Sequence, residues 1–141
     1  MDDSASRLSL PAGVESITAF CEFVRVGAVA AGIDGSEIGK LDLVLEEILI
    51  NIARYAYAPL SGVTEVSYMP EGHGRLRVEI ADCGRAFNPL DVDSPDFSRG
   101  LADRPIGGLG LFLIKGLVEF IAYRREDNRN ILSFVFPAAG E

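Results

Sequence analysis

The sequence predicts an α+β fold, a two-layer sandwich in which a mixed, mainly antiparallel sheet is covered on one face by helices. Alternating apolar residues mark adjacent strands, and apolar residues at every third or fourth position mark amphipathic helices. The elements follow in the order strand, two helices, two strands, long loop, helix, two strands. This order groups the strands as hairpins and leaves the helices to cover one face. The length of 141 residues suits one hydrophobic core.

The N-terminal half is expected to contain one strand and two helices. Residues 1–6 are polar and are expected to be disordered, and residues 7–10 alternate as a short edge strand does. The helical period then predicts a first helix that stops at Gly32. Asp34 and Glu37 have the spacing of a capping box, and the apolar stripe behind them predicts the second helix.

The C-terminal half is expected to complete the sheet. Residues 63–80 alternate on both sides of a Gly- and Pro-containing turn, which predicts a β-hairpin. Residues 88–107, with three Pro, form an unusually long loop, which is typical of a functional lid or of disorder. The helical period returns over residues 110–120, and the last two strands are expected at 120–124 and 131–136.

Composition excludes several classes of function. The 21 Asp and Glu outnumber the 13 Lys and Arg, and the net charge of −8 disfavours nucleic acid or an anionic membrane as a partner. The sequence contains neither the pattern of a signal peptide nor an apolar run long enough for a membrane span. Cys21 and Cys83 are far apart and have no His nearby, so neither a zinc site nor a disulfide framework is indicated. We expect a cytoplasmic protein with reduced thiols.

The first of three clusters that could carry chemistry lies on the second helix. Glu47 and Asn51 are four residues apart and share one helix face, beside the apolar stripe. A carboxylate and an amide oxygen can hold Mg²⁺ or orient an attacking hydroxyl group. The same pair taken alone is also typical of a solvated helix face.

The second cluster follows the second strand of the hairpin. Asp82 closes this strand, with Cys83, Gly84 and Phe87 behind it. Asp82 could accept a hydrogen bond from the exocyclic amine of a purine, and Gly84 permits either a positive φ or the close approach of a flat ligand. An ordinary turn after a strand uses the same residue types.

The third cluster is a glycine-rich turn that runs into a helix. It consists of Gly107, Gly108, Leu109, Gly110 and Leu111. Exposed N–H groups at a helix N-terminus bind phosphate, although a flexible hinge before a helix would have the same composition. The turn has neither the Walker sequence nor the dinucleotide fingerprint. The three clusters and the long loop, in this order, are together the parts of an ATP site.

On these residues the sequence resembles the Bergerat, or histidine-kinase-like, ATP-binding fold. This fold is shared by gyrase, ninety-kilodalton-class chaperones, sensor histidine kinases and mismatch-repair ATPases, and the chain is most similar to its bacterial anti-sigma-factor serine/threonine kinases. The resemblance extends over residues 8–136, with the N box at 47–51 and the two glycine boxes at 82–87 and 107–111. The string at 104–110 is especially similar to the anti-sigma kinase branch.

Two positions depart from the pattern of the family. Tyr55 stands where many relatives carry a histidine after the N box, and Cys83 replaces the commoner polar residue of the first glycine box. The first departure bears on the subfamily rather than on ATP binding, because it lies on the helix and not among the phosphate-binding residues.

The resemblance implies a role for each site residue. Asn51 would coordinate an Mg²⁺ that bridges the ATP phosphates, and Asp82 would bond the adenine amino group. Glu47 would act as a base toward a serine or threonine hydroxyl on a partner. Arg104 is a candidate for a γ-phosphate contact on its charge and position alone. The expected nucleotide-binding set is Asn51, Asp82, Gly84, Phe87, Arg104, Gly107, Gly108, Leu109, Gly110 and Leu111, with residues 88–107 as the ATP lid.

The predicted function is that of an ATP-binding anti-sigma factor in one domain, residues 7–137. It would phosphorylate an anti-anti-sigma antagonist on serine or threonine and would sequester a sigma factor, and the resemblance suggests a homodimer. Two alternatives stay open, a non-catalytic nucleotide-sensing module and a catalytic domain that acts on a histidine in another chain. Gyrase-like and chaperone-like ATPases are disfavoured, because they need a further domain after the last strand.

Overall fold

The computed structural model describes residues 5–53, 62–88 and 114–138. Its main elements are β1 (Ser6–Pro11), α1 (Ile17–Ala30), α2 (Ile38–Asn51), β2 (Val63–Pro70), β3 (Leu76–Asp82), β4 (Glu119–Glu126) and β5 (Arg129–Phe136). The strands form one sheet in the order β1-β2-β3-β5-β4, and α1 and α2 pack on one of its faces. The predicted α+β two-layer architecture is confirmed. Every pairing among the described strands is antiparallel, so this part of the sheet is not mixed.

The N-terminal strand and the predicted hairpin are in place. β1 lies at the sheet edge and pairs with β2, which forms a hairpin with β3. β1 begins at Ser6, so it includes the last residue of the segment that was expected to be disordered, and residues 1–4 lie outside the described part.

The inner face of the sheet builds the core together with both helices. Alternate residues of β3 and β5 point toward the helices because side chains alternate along a strand. The fully buried large side chains of this core include Phe20, Leu41, Leu45, Ile48, Leu76, Ile80, Phe134 and Phe136. Asp82 and Asn130 continue the inner rows of β3 and β5. The antiparallel pairing of these strands places the two residues opposite each other. The strand pattern therefore carries two polar side chains into the interior.

The connection between the helices differs in detail from the predicted capping box. Gly32 ends α1 with a φ of 88°, as a left-handed glycine after a helix does. The Oδ1 atom of Asp34 accepts from the N–H of Ser36 at 2.9 Å, one residue earlier than a capping box requires. A tight turn at Gly35–Glu37 brings that N–H closest, and the Glu37 side chain instead forms an ion pair with Lys40 at 3.4 Å.

The helix predicted over residues 110–120 is corrected at its C-terminal end. Its first residues, up to 113, lie outside the described part. The chain leaves the helix through a turn in which the N–H of Val118 donates to the carbonyl oxygen of Ile114 at 3.2 Å, and β4 starts at Glu119. Phe120 has a φ of 55°, and the register between β4 and β5 shifts beside it. The helix therefore ends before Phe120, and the strand that follows contains a bulge at this point.

The two cysteines lie in different surroundings. Cys21 is buried between the helices, and burial, followed by the nearby Asp42 and Glu46 carboxylates, raises its pKa to about 12. Its thiol therefore belongs to the core. Cys83 is exposed, and neither cysteine forms a disulfide bond. No helix within the described ranges is long and apolar enough to span a membrane.

Candidate functional site

Asn51 is buried at the end of α2, and its side-chain amide has no hydrogen-bond partner within residues 5–53, 62–88 and 114–138. Its side chain is 1% exposed, and neither Oδ1 nor Nδ2 is bonded to any part of the chain that the structure describes. Ile48 and Ile52, on the same side of the helix, belong to the core. A solvated helix face is therefore not the explanation for this residue. An unmet buried polar group costs about 1–3 kcal/mol, which is a reason to look for a ligand that would satisfy it.

Glu47 lies one helical turn before Asn51. The residue as a whole is partly buried, its Oε2 atom is buried, and it lies on the same helix face as Asn51. The structure thus keeps both residues of the predicted N box on one face. A group held by Asn51 in the interior would have Glu47 beside it toward the protein surface.

Asp82 ends β3 as a buried carboxylate with one oxygen already bonded. The residue is 2% exposed, and its Oδ1 accepts from the backbone N–H of Gly84 and from Nδ2 of Asn130, both at 2.9 Å. Burial raises the pKa of Asp82, and the hydrogen bonds from Asn130 and Gly84 oppose that rise. No donor among the described residues reaches Oδ2. The carboxylate is thus fixed in orientation and keeps one oxygen for an external donor.

Gly84 is held on both sides of its backbone. Its N–H donates to Asp82, as in an Asx turn, and its carbonyl oxygen accepts from Nη1 of Arg125 at 2.9 Å. Positive φ angles occur among the described glycines at Gly32, Gly72 and Gly74 and not at Gly84. Of the two roles left open by the sequence, a left-handed backbone is therefore not the one that Gly84 serves.

Asn130, at the start of β5, is a site residue that sequence reasoning missed. It is 3% exposed and makes five hydrogen bonds. Nδ2 donates to Asp82 Oδ1 (2.9 Å) and to the carbonyl oxygen of Arg85 (2.8 Å), and Oδ1 accepts from the N–H of Phe87 (3.1 Å), the hydroxyl of Tyr123 (2.6 Å) and Nη1 of Arg125 (3.1 Å). The signal that could have found it is its place in the inner row of β5, among Leu132, Phe134 and Phe136.

The predicted site residues fall into three groups. Asp82, Gly84 and Phe87 are joined in the network centred on Asn130. Glu47 and Asn51 lie one turn apart on α2, where Asn51 is buried and Glu47 is partly buried. The remaining predicted residues, Arg104, Gly107, Gly108, Leu109, Gly110 and Leu111, lie outside the described part, as does the predicted lid after Asn88.

A shallow groove of about 190 Å³ lies elsewhere on the molecule. Its lining includes Arg7, Ser67, Arg77 and Glu79, which point to the face of the sheet away from α1 and α2. Val66, Val78 and Ile80, their strand neighbours, point into the core instead. The groove is therefore on the opposite side of the sheet from Asp82 and is not part of the candidate site.

The residues of the site fit ATP with Mg²⁺. Mg²⁺ prefers oxygen ligands and is commonly held by one or two protein groups together with substrate phosphates. The buried Oδ1 of Asn51 is such a group, and it has no partner among the described residues. No cluster of three or more His, Cys, Asp or Glu that could hold a metal ion is found within those residues. The acceptor Oδ2 of Asp82 suits the amino group of adenine.

Fold and site together define an α+β ATP-binding domain of the histidine kinase-like type. Residues 10–136 match the histidine kinase-like ATPase domain, and the chain belongs to this family. A relative, the serine/threonine-protein kinase BtrW of Bordetella bronchiseptica, is 31% identical over 101 residues, which is 72% of this chain and 71% of that protein. The predicted fold family is confirmed, and the match supports ATP binding and an activity of the kinase or ATPase type.

Proposed function

We propose that this chain is an ATP-dependent serine/threonine protein kinase that also acts as an anti-sigma factor. Its substrate would be an anti-anti-sigma antagonist, and its other partner a sigma factor. The observation that carries the proposal is the buried amide of Asn51, which has no partner among the described residues, with Glu47 one turn away on the same face of α2. Family membership and the similarity to a serine/threonine-protein kinase support the same reading.

The nucleotide would be held at its two ends by different elements. Asp82 Oδ2 would accept a hydrogen bond from the adenine amino group, and Gly84 would let the ring lie against the backbone. Asn51 Oδ1 would ligate Mg²⁺, which when bound neutralises charge on the phosphates. Gly107–Leu111 and Arg104 are proposed to complete phosphate binding.

Glu47 would then act at the acceptor hydroxyl. Its carboxylate would take the proton of a serine or threonine side chain, whose oxygen forms the new bond to the γ-phosphorus while the bond to the β-phosphate oxygen breaks and ADP leaves. The protein contributes mainly position and charge to such a transfer. A carboxylate next to the metal ligand, and partly open to solvent, is suitably placed to meet a hydroxyl from another chain.

The test is transfer of label from γ-labelled ATP to a purified candidate antagonist domain that carries a serine or threonine. Glu47→Ala should reduce the transfer rate by roughly 100-fold or more, since general-base catalysis contributes about 10²–10⁴. ATP affinity should stay within about twofold. Glu46→Ala is the matched control, because Glu46 is the adjacent but exposed carboxylate on α2. Equal loss of transfer and affinity in Glu47→Ala would contradict the assignment of Glu47 as base.

The chemical nature of the labelled residue separates this proposal from its alternatives. Phosphoserine and phosphothreonine survive acid, whereas phosphohistidine is lost. Acid-stable label on the antagonist is expected. Acid-labile label would indicate action on a histidine, and intact ATP binding without label would indicate a nucleotide-sensing module.

The proposed partner switching has a separate readout. The chain should bind the sigma factor in the presence of ATP and release it when the unphosphorylated antagonist is added. The proposed homodimer can be measured in the same samples by light scattering. Failure to bind any sigma factor of the host would remove the anti-sigma role and leave the kinase proposal standing.

A further inference from the structure

The network around Asn130 accepts only one type of side chain at its centre. Three donors, an N–H, a hydroxyl and a guanidinium, converge on Oδ1, and two acceptors, a carboxylate and a carbonyl oxygen, converge on Nδ2. An acceptor and a two-proton donor on the same short side chain are found only in asparagine. An aspartate would keep the acceptor half and lose both donated bonds, and an apolar residue would lose all five bonds.

Asn130 ties three separate parts of the chain together. It joins the end of β3 at Asp82, the loop at Arg85 and Phe87, and the β4–β5 hairpin through Tyr123 and Arg125. The loop that follows Asp82 is therefore fixed by a side chain 48 residues away from Asp82 in the sequence. The position of Asp82 depends on this network as well as on its own strand.

The contact with Asn130 determines which oxygen of Asp82 is available. Oδ1 already accepts from Gly84 and from Asn130, so Oδ2 is the oxygen that is left for a ligand. An ionised Oδ2 can only accept. It would attract the amino group at position 6 of adenine and repel the carbonyl oxygen that guanine and hypoxanthine carry there. A site that is built to accept a hydrogen bond from a specific donor strongly rejects analogues that lack this donor.

The same contact helps to keep Asp82 ionised. Burial raises the pKa of Asp82, and the side-chain bond from Asn130 is the largest influence that lowers it. A protonated Asp82 could donate to a carbonyl oxygen, and the distinction between an amino group and a carbonyl at position 6 would then be lost.

We propose that Asn130 is a positioning residue that sets the base specificity of the site, by holding Asp82 so that Oδ2 accepts only from a 6-aminopurine. This rests on the proposed binding of ATP at Asp82. Asn130 does not itself touch the base in this account, and it acts through the carboxylate of Asp82.

The experiment measures the affinities of the purified chain for ATP and for inosine triphosphate, in which a carbonyl oxygen replaces the 6-amino group and N1 carries a hydrogen. Wild type should prefer ATP. Asn130→Asp should bind ATP about tenfold or more weakly while the affinity for inosine triphosphate is unchanged or higher, because a hydrogen bond to a charged group is lost and a second carboxylate promotes protonation of Asp82. The matched control is Asn128→Gly in the same hairpin, where the φ of 62° suits glycine, and its affinity ratio should equal that of wild type.

Two results would overturn the specificity role. An equal loss of affinity for both nucleotides would make Asn130 a structural residue only, and no change in either affinity would remove it from base recognition. If Asn130→Asp does not fold, Tyr123→Phe removes one neutral donor to Oδ1 and should lower the ratio about threefold. No change in that variant would overturn the proposal.

The outcome for wild type separates this inference from the proposed function. A wild type that binds neither nucleotide overturns the ATP site itself and this inference with it. A wild type that prefers ATP, with the same preference retained in Asn130→Asp, overturns the role of Asn130 alone.

Discussion

Asn51 and Asn130 are both asparagines buried on the inner side of the sheet, with 1% and 3% of their surface exposed, yet their surroundings are opposite. Asn51 has no hydrogen-bond partner among the described residues, whereas Asn130 has five. In the ligand-free protein, the unmet amide of Asn51 lowers the free energy of unfolding, whereas the hydrogen bonds of Asn130 raise it. We therefore propose that Asn51 is kept for a ligand, whereas Asn130 holds the site in shape.

The difference follows from the elements that carry them. Asn51 is on a helix, where the backbone is bonded within α2 and the neighbours Ile48 and Ile52 are apolar. Asn130 begins a strand beside a turn, where the carbonyl oxygen of Arg85 accepts from its amide and the N–H of Phe87 donates to it. The apolar neighbours of Asn51 offer its side-chain amide no hydrogen bond, whereas the loop beside Asn130 offers backbone donors and acceptors.

Replacing Asn51 should have the largest effect on binding and little on folding. Asn51→Leu removes the proposed metal ligand, so affinity for ATP with Mg²⁺ should fall by more than the roughly 10–100-fold that loss of an outer-shell partner costs. The free energy of unfolding should be equal to that of wild type or up to about 1 kcal/mol higher, because an unmet buried amide is replaced by an apolar group. Calorimetric titration and urea unfolding measure the two quantities.

The matched control for this variant is Asn130→Leu. It leaves several buried groups unmet, and the free energy of unfolding should fall by about 3 kcal/mol. A similar loss of stability in Asn51→Leu and Asn130→Leu would contradict the distinction between the two residues.

Asp82 should show opposite pH dependences for binding and for stability. Burial raises the pKa of Asp82 above its ordinary value of 3.8. As the pH falls through the raised pKa, the carboxylate is protonated, so ATP affinity should fall. The cost of burying the charge disappears over the same range, so the stability of wild type should rise relative to Asp82→Asn.

These two trends are measured by repeating the titration and the unfolding experiment at several pH values on wild type and Asp82→Asn. The variant should bind ATP about 10–100-fold more weakly at neutral pH, as expected for a lost charged hydrogen bond, and its affinity should not depend on this titration. Parallel changes of affinity and relative stability with pH would argue against an ionised Asp82 as the acceptor.

Arg125 should have the smallest effect. Its Nη1 bonds both Gly84 and Asn130, but the residue is exposed, and exposed charged contacts contribute only about 0.2–1 kcal/mol. Arg125→Lys should therefore lower stability by less than about 1 kcal/mol and ATP affinity by about two- to threefold. A loss as large as that of Asn130→Leu would show that Arg125, rather than Asn130, holds the loop.

The sequence was sufficient for most of the described fold and for part of the site. Periodicity located α1, α2 and the β2–β3 hairpin, and motif spacing singled out Asn51 and Asp82. Asn130 was missed because its partner Asp82 becomes a neighbour only through the pairing of β3 with β5, which no local pattern reveals. The predicted end of the helix at Phe120 was wrong, because this residue already belongs to β4 and lies at its bulge.

We propose that Asn51 binds a ligand, whereas Asn130 holds the site in shape. The most direct measurement follows the side-chain amide NMR signals of both residues while wild type is titrated with ATP and Mg²⁺. We expect the Asn51 signals to shift strongly in step with saturation at one nucleotide per chain and the Asn130 signals to shift less. Saturation without any shift at Asn51, or no saturation at all, would contradict it.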